Sequence, residues 1–116
     1  MRKYIFLFLL LLVSFMSVNA QVEKNLDALK TAYLNIQNGD YAQAYPYFKE
    51  MQHIYPKDPS YNYYLGRCLL FLENDPAISL KYLRFASTKE VSIDVYYYLG
   101  LAYIKNYQFE KAIKSL

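Results

Sequence analysis

The chain holds one cysteine, one histidine, three glycines and no tryptophan in 116 residues. A single cysteine excludes any internal disulfide. Cys68 stands one helical turn from Leu65 and Leu72, which marks it as a small buried hydrophobe rather than a reactive thiol. The lone histidine, His53, cannot form the paired-imidazole spacing of a helical zinc site, and its late position in a helix points it outward. No Cys-x-x-Cys, glycine-rich phosphate loop or Gly-x-Ser-x-Gly occurs. Asp40 and Asp58, and likewise Glu73 and Asp75, fall at turns and helix ends, where capping accounts for them. Charge of one sign is also scarce. Arg2 and Lys3 supply two units of the net charge of +3, and no basic block follows them, so there is no electrostatic case for nucleic acid. These absences leave no catalytic constellation, no metal site and no cofactor site, and a non-enzymatic role is expected.

Tyrosine, by contrast, is abundant at 15 residues. Each ring covers a large apolar area while keeping one wet end, so the tyrosines can serve packing, a sticky surface, or both on different faces.

The amino terminus reads as an export signal. Met1-Arg2-Lys3 is basic, Tyr4 to Phe15 is apolar, and Val18-x-Ala20 places small residues three and one before a cut after Ala20. The apolar run is shorter than the roughly 20 residues that span a bilayer. Gln21, rather than cysteine, follows the cut, which argues against a lipoprotein anchor. Residues 1–20 are therefore expected to be removed. Residues 21–25 are expected to be a poorly ordered lead-in, and 26–116 a single small domain.

That domain repeats itself at 34 residues. Tyr63-Tyr64-Leu65-Gly66 is echoed by Tyr97-Tyr98-Leu99-Gly100, and the same interval counted back from Gly66 reaches Ala32. Such a period marks stacked helical hairpins. The spacing predicts a first helix through Leu26, Leu29, Tyr33 and Ile36, ended by Gly39, with Asp40 capping the next. A second helix runs from about Tyr41 to Ile54, with Ala44, Phe48 and Met51 inward, and Tyr55-Pro56-Lys57-Asp58-Pro59 stops it. The next hairpin spans Ser60 to Glu73 and Pro76 to about Ser87, with a slightly altered turn near Glu73. A third first-helix runs from about Ile93 to Asn106, and Gln108 to Leu116 opens its partner, with Phe109, Ala112 and Leu116 inward. The repeats are 25–58, 59–92 and an incomplete 93–116. Small residues should meet across each hairpin, Ala32 with Ala44 and Gly100 with Ala112, so bulk at Gly100 should overpack the contact.

Gly39-Asp40-Tyr41-x-x-Ala44-x-x-x-Phe48, Tyr64-Leu65-Gly66, Tyr98-Leu99-Gly100-Leu101-Ala102-Tyr103 and Phe109-x-x-Ala112 resemble the tetratricopeptide repeat over about residues 25–116. Asn35, where an aromatic is usual, and Ser79, where alanine is usual, depart from its pattern. The resemblance implies an all-α, right-handed superhelical solenoid of antiparallel helix hairpins, about two and a half repeats long, that binds a protein or peptide in a concave groove. The signal segment followed by "YYLGRCLLFLEND" and "VYYYLGLAYIKNYQFEKAI" also resembles the N-terminal region of exported Bacteroidetes-type OmpA-like envelope proteins, which implies a periplasmic or outer-membrane assembly.

The groove would be lined by Leu29, Tyr33 and Ile36, then Tyr63, Arg67 and Leu70, then Tyr97, Leu101 and Lys105. Packing between repeats is the alternative for any one of them. The carboxylate clamp of some family members needs Lys and Asn where this chain has Tyr63, Tyr97, Arg67 and Leu101, so a chaperone-tail receptor is disfavoured. A glycan-associated envelope module, with tyrosines stacked on sugars, is the competing reading. An accessory domain of a longer protein is a third. The incomplete third hairpin leaves an apolar face open, so the chain is expected to be a piece of a longer protein or to self-associate through its C-terminal end.

Overall fold

The computed structural model describes residues 2–72, 75–89 and 91–115, apart from the side chains of 111–113 and 115. The described residues form five helices and no strand: α1 (Arg2–Gln37), α2 (Tyr41–Ile54), α3 (Pro59–Leu72), α4 (Pro76–Ser87) and α5 (Asp94–Ser115). The fold is all-α. The chain divides into two compact units, Met1–Thr31 and Ala32–Leu116.

In the first unit nearly every side chain from Arg2 to Thr31 is exposed. By length and composition α1 is apolar enough to cross a membrane, and a signal sequence passes the same test. The lead-in expected over 21–25 is helical instead. Gln21-Val22-Glu23-Lys24-Asn25 contains neither glycine nor proline to interrupt the helix, and the Gln21 side-chain amide donates to Asn25 Oδ1 one turn on, at 3.3 Å.

In the second unit the helix ends follow local chemistry. Gly39 takes a φ of +78°, its N–H donates to Ile36 O at 3.1 Å, and Asp40 N–H donates to Asn35 O at 2.7 Å. That pair of bonds is a Schellman motif, which needs a residue free to adopt positive φ. Asp40 precedes α2 without a side-chain capping bond, contrary to expectation. Asp58 and Asp75 do cap. Their Oδ1 atoms accept from Tyr61 N–H at 3.1 Å and Ala77 N–H at 2.9 Å, each with a proline as the first helical residue, where its missing N–H costs nothing. The altered turn expected near Glu73 lies outside the described residues.

Helix α3 packs against both α2 and α4, and α4 packs against α5. One core cluster joins Ala32, Ile36, Ala44, Phe48, Leu65, Cys68 and Leu69. A second joins Tyr63, Leu70, Leu80, Leu83, Ala86, Val95 and Ala102. Small residues permit the close approaches. A Cβ added at Gly66 would lie 2.7 Å from Leu83 Cγ and 3.3 Å from the Leu83 backbone nitrogen.

The third hairpin departs from expectation. Helix α5 runs unbroken through Asn106, Tyr107 and Gln108, where a turn was predicted. Tyr107 and Gln108 stand two periods beyond Gly39 and Asp40. An aromatic residue resists the left-handed conformation that Gly39 adopts, so nothing stops the helix. Gly100 therefore does not face a returning helix: among the described residues a Cβ placed there meets nothing within 4 Å, and the expected overpacking does not arise. The inward placement expected for Ala112 and Leu116 lies outside the described side chains.

Candidate functional site

The face built by the end of α1 with α3 and α5 carries a continuous run of aromatic rings around one cation. Tyr64 makes an edge contact with Tyr33 at 4.8 Å between centroids and stacks on the buried Phe48 at 4.9 Å. Its hydroxyl donates to that of Tyr33. Tyr63 links Tyr64, at 5.0 Å, to Tyr98, at 6.1 Å. Tyr98 then contacts Tyr97 at 5.1 Å and Phe71 at 6.5 Å, and Phe71 stacks on Tyr41 at 4.6 Å.

Arg67 lies within this run. Its guanidinium carbon is 4.1 Å from the centroid of Tyr98 and 5.5 Å from that of Tyr63, and Nη1 donates to the Tyr63 hydroxyl at 3.4 Å. Arg67 Nε is buried with no hydrogen-bond partner, and among the described residues no carboxylate forms an ion pair with this group. Ring faces are negative at their centres and so hold a cation without neutralising it. The result is a half-buried positive charge on an aromatic bed, suited to a carboxylate or another hydrogen-bond acceptor.

Burial shifts the phenols that share this bed. Tyr63, Tyr64 and Tyr98 all have pKa values above the ordinary 10.0, raised first by desolvation, with Arg67 pulling the other way. They stay neutral donors across the physiological range. Lys105, at the edge of the face, donates from Nζ to Leu70 O at 3.0 Å and lies 4.9 Å from the centroid of Phe71. A cation bonded to a carbonyl in the last turn of α3 offsets the negative end of that helix.

Of the nine residues expected to line a groove, the structure brings Tyr33, Arg67, Tyr97 and Lys105 into the run of contacts at this face, while Leu101 is partly buried against the second core cluster. Three others are corrected. Ile36, Leu70 and Tyr63 are 2%, 3% and 2% exposed, so they are core residues rather than lining. Helical spacing identified their stripe, but it turns toward neighbouring helices, which bury it in the two core clusters. Leu29 belongs to the N-terminal unit and has no described relation to this face. Tyr41, Tyr64, Phe71 and Tyr98 were not anticipated as part of it. The signal for two of them was present: Tyr64 and Tyr98 are one 34-residue period apart, three residues before Arg67 and Leu101 respectively in the same echoed motif.

A second concavity of about 680 Å³ lies between α2 and α4, floored by Leu65 and Leu69 and flanked by Tyr45, Tyr82, Lys49 and His53. His53 is exposed, as its position suggested, whereas Cys68 is fully buried and its thiol is pushed up to about 12 by desolvation. The thiolate needed for nucleophilic attack is therefore suppressed. Among the described residues no three His, Cys, Asp or Glu side chains gather as metal ligands.

No family model matches the chain, and neither a curated protein nor a solved structure matches it.

Proposed function

We propose that this chain is a non-enzymatic interaction scaffold, an exported right-handed solenoid of tetratricopeptide-like hairpins that holds an extended peptide of a partner protein on the aromatic face around Arg67. The carrying observation is Arg67 itself, a cation held 4.1 Å over Tyr98 with no carboxylate of the described residues paired to it. A peptide bearing an acidic side chain beside an apolar or aromatic one would place its carboxylate on the guanidinium and its apolar group against Tyr97 and Leu101. Aromatic and arginine side chains are the groups that most often anchor such contacts. The 34-residue echo supports the repeat assignment. The apolar N-terminal helix supports export to the periplasm or to an outer-membrane assembly, with cleavage leaving Gln21 first.

Selection of a random peptide library on the full chain tests the reading, with Arg67→Gln selected in parallel. A shared motif containing Asp or Glu, enriched on the native chain and lost on Arg67→Gln, is the expected result. Peptidoglycan fragments titrated calorimetrically onto the same proteins form the second arm. Saturable binding of the fragments, with no peptide motif enriched, would replace this reading with a glycan-binding module. The mass of the exported protein checks localisation: a product that retains residues 1–20 in the membrane fraction would make α1 an anchor.

A further inference from the structure

Helix α3 has two working sides. Leu65 and Leu69 lie one turn apart on it, and at 3.6 residues per turn each stands roughly 160° around the helix from Arg67. The helix that presents Arg67 to the aromatic face therefore presents Leu65 and Leu69 to the opposite side. There they floor the concavity of about 680 Å³ between α2 and α4. None of the rings and cations gathered around Arg67 lines it.

The walls of this concavity are helices. Tyr45, Pro46, Lys49 and His53 come from α2, Ile78 and Tyr82 come from α4, and the outer side is open. Tyr45 to His53 spans about 12 Å of α2 at 1.5 Å per residue, a little over two turns. Floor and far wall are apolar, and Ile78 keeps 42% of its surface exposed. A trough of this length, between two helices and over a third, takes the apolar stripe of an added helix, anchored at i, i+3 or i+4, and i+7. The described residues offer no strand edge to which an extended peptide could add its backbone.

Both rims of the trough carry a cation. Lys49 Nζ lies 5.5 Å from the centroid of Tyr45 on one wall, and Lys81 Nζ lies 5.7 Å from the centroid of Tyr82 on the other. Each ammonium is thus held near a wall ring. Between Pro76 and Lys89 the chain has Lys81, Arg84 and Lys89 and no acid, and Glu50 is the one acid between Tyr41 and Ile54. An occupant with acids on both flanks meets lysine on either side, whereas a basic one is opposed.

We propose that the trough between α2 and α4 seats an acidic amphipathic helix of a partner protein, with its apolar stripe on Leu65, Leu69 and Ile78 and its carboxylates on Lys49 and Lys81. A second docking surface of this kind makes the chain a bridge between two partners. The two surfaces share no lining residue, so either can fail without the other.

Selection of helices on the full chain tests the proposal. Small helical proteins randomised over the outer face of one helix are displayed on phage. The expected enrichment is Leu, Ile or Phe at i, i+4 and i+7 with Asp or Glu on both flanks. Affinity should fall by about tenfold or more on a Lys49→Glu, Lys81→Glu double variant that retains its helical circular dichroism. Exchanging the flanking acids of the selected helix for lysines should restore binding to that variant. Ile78→Gln, at an exposed position, should also weaken binding, and Arg67→Gln should leave it unchanged. Failure to enrich any helix, an enriched stripe without flanking acids, or binding that survives both Ile78→Gln and the charge reversal would overturn the proposal. Vesicles of phosphatidylglycerol and of phosphatidylcholine form the other arm. The apolar α1 can partition into either, so the readout is the excess bound to the anionic vesicles. An excess abolished by Lys49→Glu with Lys81→Glu, in the absence of any enriched helix, would make this face a membrane-docking surface instead.

Discussion

The guanidinium of Arg67, on α3, rests 4.1 Å from the ring centroid of Tyr98, on α5. This contact ties α3 to α5 and leaves the charge available at the surface. Desolvated cation–ring contacts contribute about 0.5–2 kcal/mol. Arg67→Met keeps most of the apolar stem and removes the charge together with the hydrogen bond to the Tyr63 hydroxyl. Its expected cost in denaturant unfolding is about 0.5–2 kcal/mol, with selected peptides losing affinity in the same variant. Unchanged peptide affinity would separate Arg67 from binding.

Adjacent tyrosine pairs should respond in opposite ways. Tyr63 is 2% exposed and Tyr97, its counterpart one period on, is 64% exposed. Truncating a buried aromatic costs about 3–5 kcal/mol, whereas a surface change is usually within about 0.5 kcal/mol. Tyr63→Ala is expected to unfold at much lower temperature, and Tyr97→Ala close to the native value. Equal drops in the two melting temperatures would contradict the assigned burial.

The two helical glycines make a matched test of packing. A methyl group at Gly66 would press on Leu83, with 2.7 and 2.9 Å to its side chain and 3.3 Å to its backbone nitrogen. Gly66→Ala is expected to destabilise by about 1–3 kcal/mol through overpacking. Gly100→Ala meets open space, and the better helix propensity of alanine should stabilise it by up to about 1 kcal/mol. Chemical denaturation of both variants reads the difference in sign.

Alkaline pH should weaken the fold. Tyr47, Tyr63, Tyr64 and Tyr98 all have folded pKa values raised above 10.0, chiefly by desolvation. A raised pKa means that the folded state holds its proton where the unfolded chain has released it. The contribution to stability is therefore complete below about pH 10 and declines as pH rises from there through the folded values. Melting temperatures across that range should fall, with tyrosinate absorbance appearing together with the loss of helix. Ionisation well before unfolding would show that these rings are open to solvent.

The candidate site was only partly legible in the sequence. Helical spacing picked out Tyr33, Arg67, Tyr97 and Lys105, which do share a face, yet it also admitted Ile36, Leu70 and Tyr63. A stripe of apolar positions has a direction only once its neighbour is in place, and α3 has neighbours on two sides while the far part of α5 has fewer. Tyr64 and Tyr98 escaped notice for the same reason: each stands beside a tyrosine of equal hydrophobicity, and only ring packing distinguishes the members of each pair.

What the sequence determined by itself is the set of helix boundaries that rest on local chemistry. Gly39 alone can take the positive φ that ends α1, and Asp58-Pro59 and Asp75-Pro76 start α3 and α4 through caps and a fixed φ, so these points can be read without knowing what packs where. The tertiary structure decided the matters that depend on a distant partner. It set which tyrosine of each pair is buried, made Gly66 rather than Gly100 the tight approach, and let α5 run on past Tyr107. Burial is a property of two surfaces meeting, and a 34-residue period specifies each surface but not which neighbour meets it.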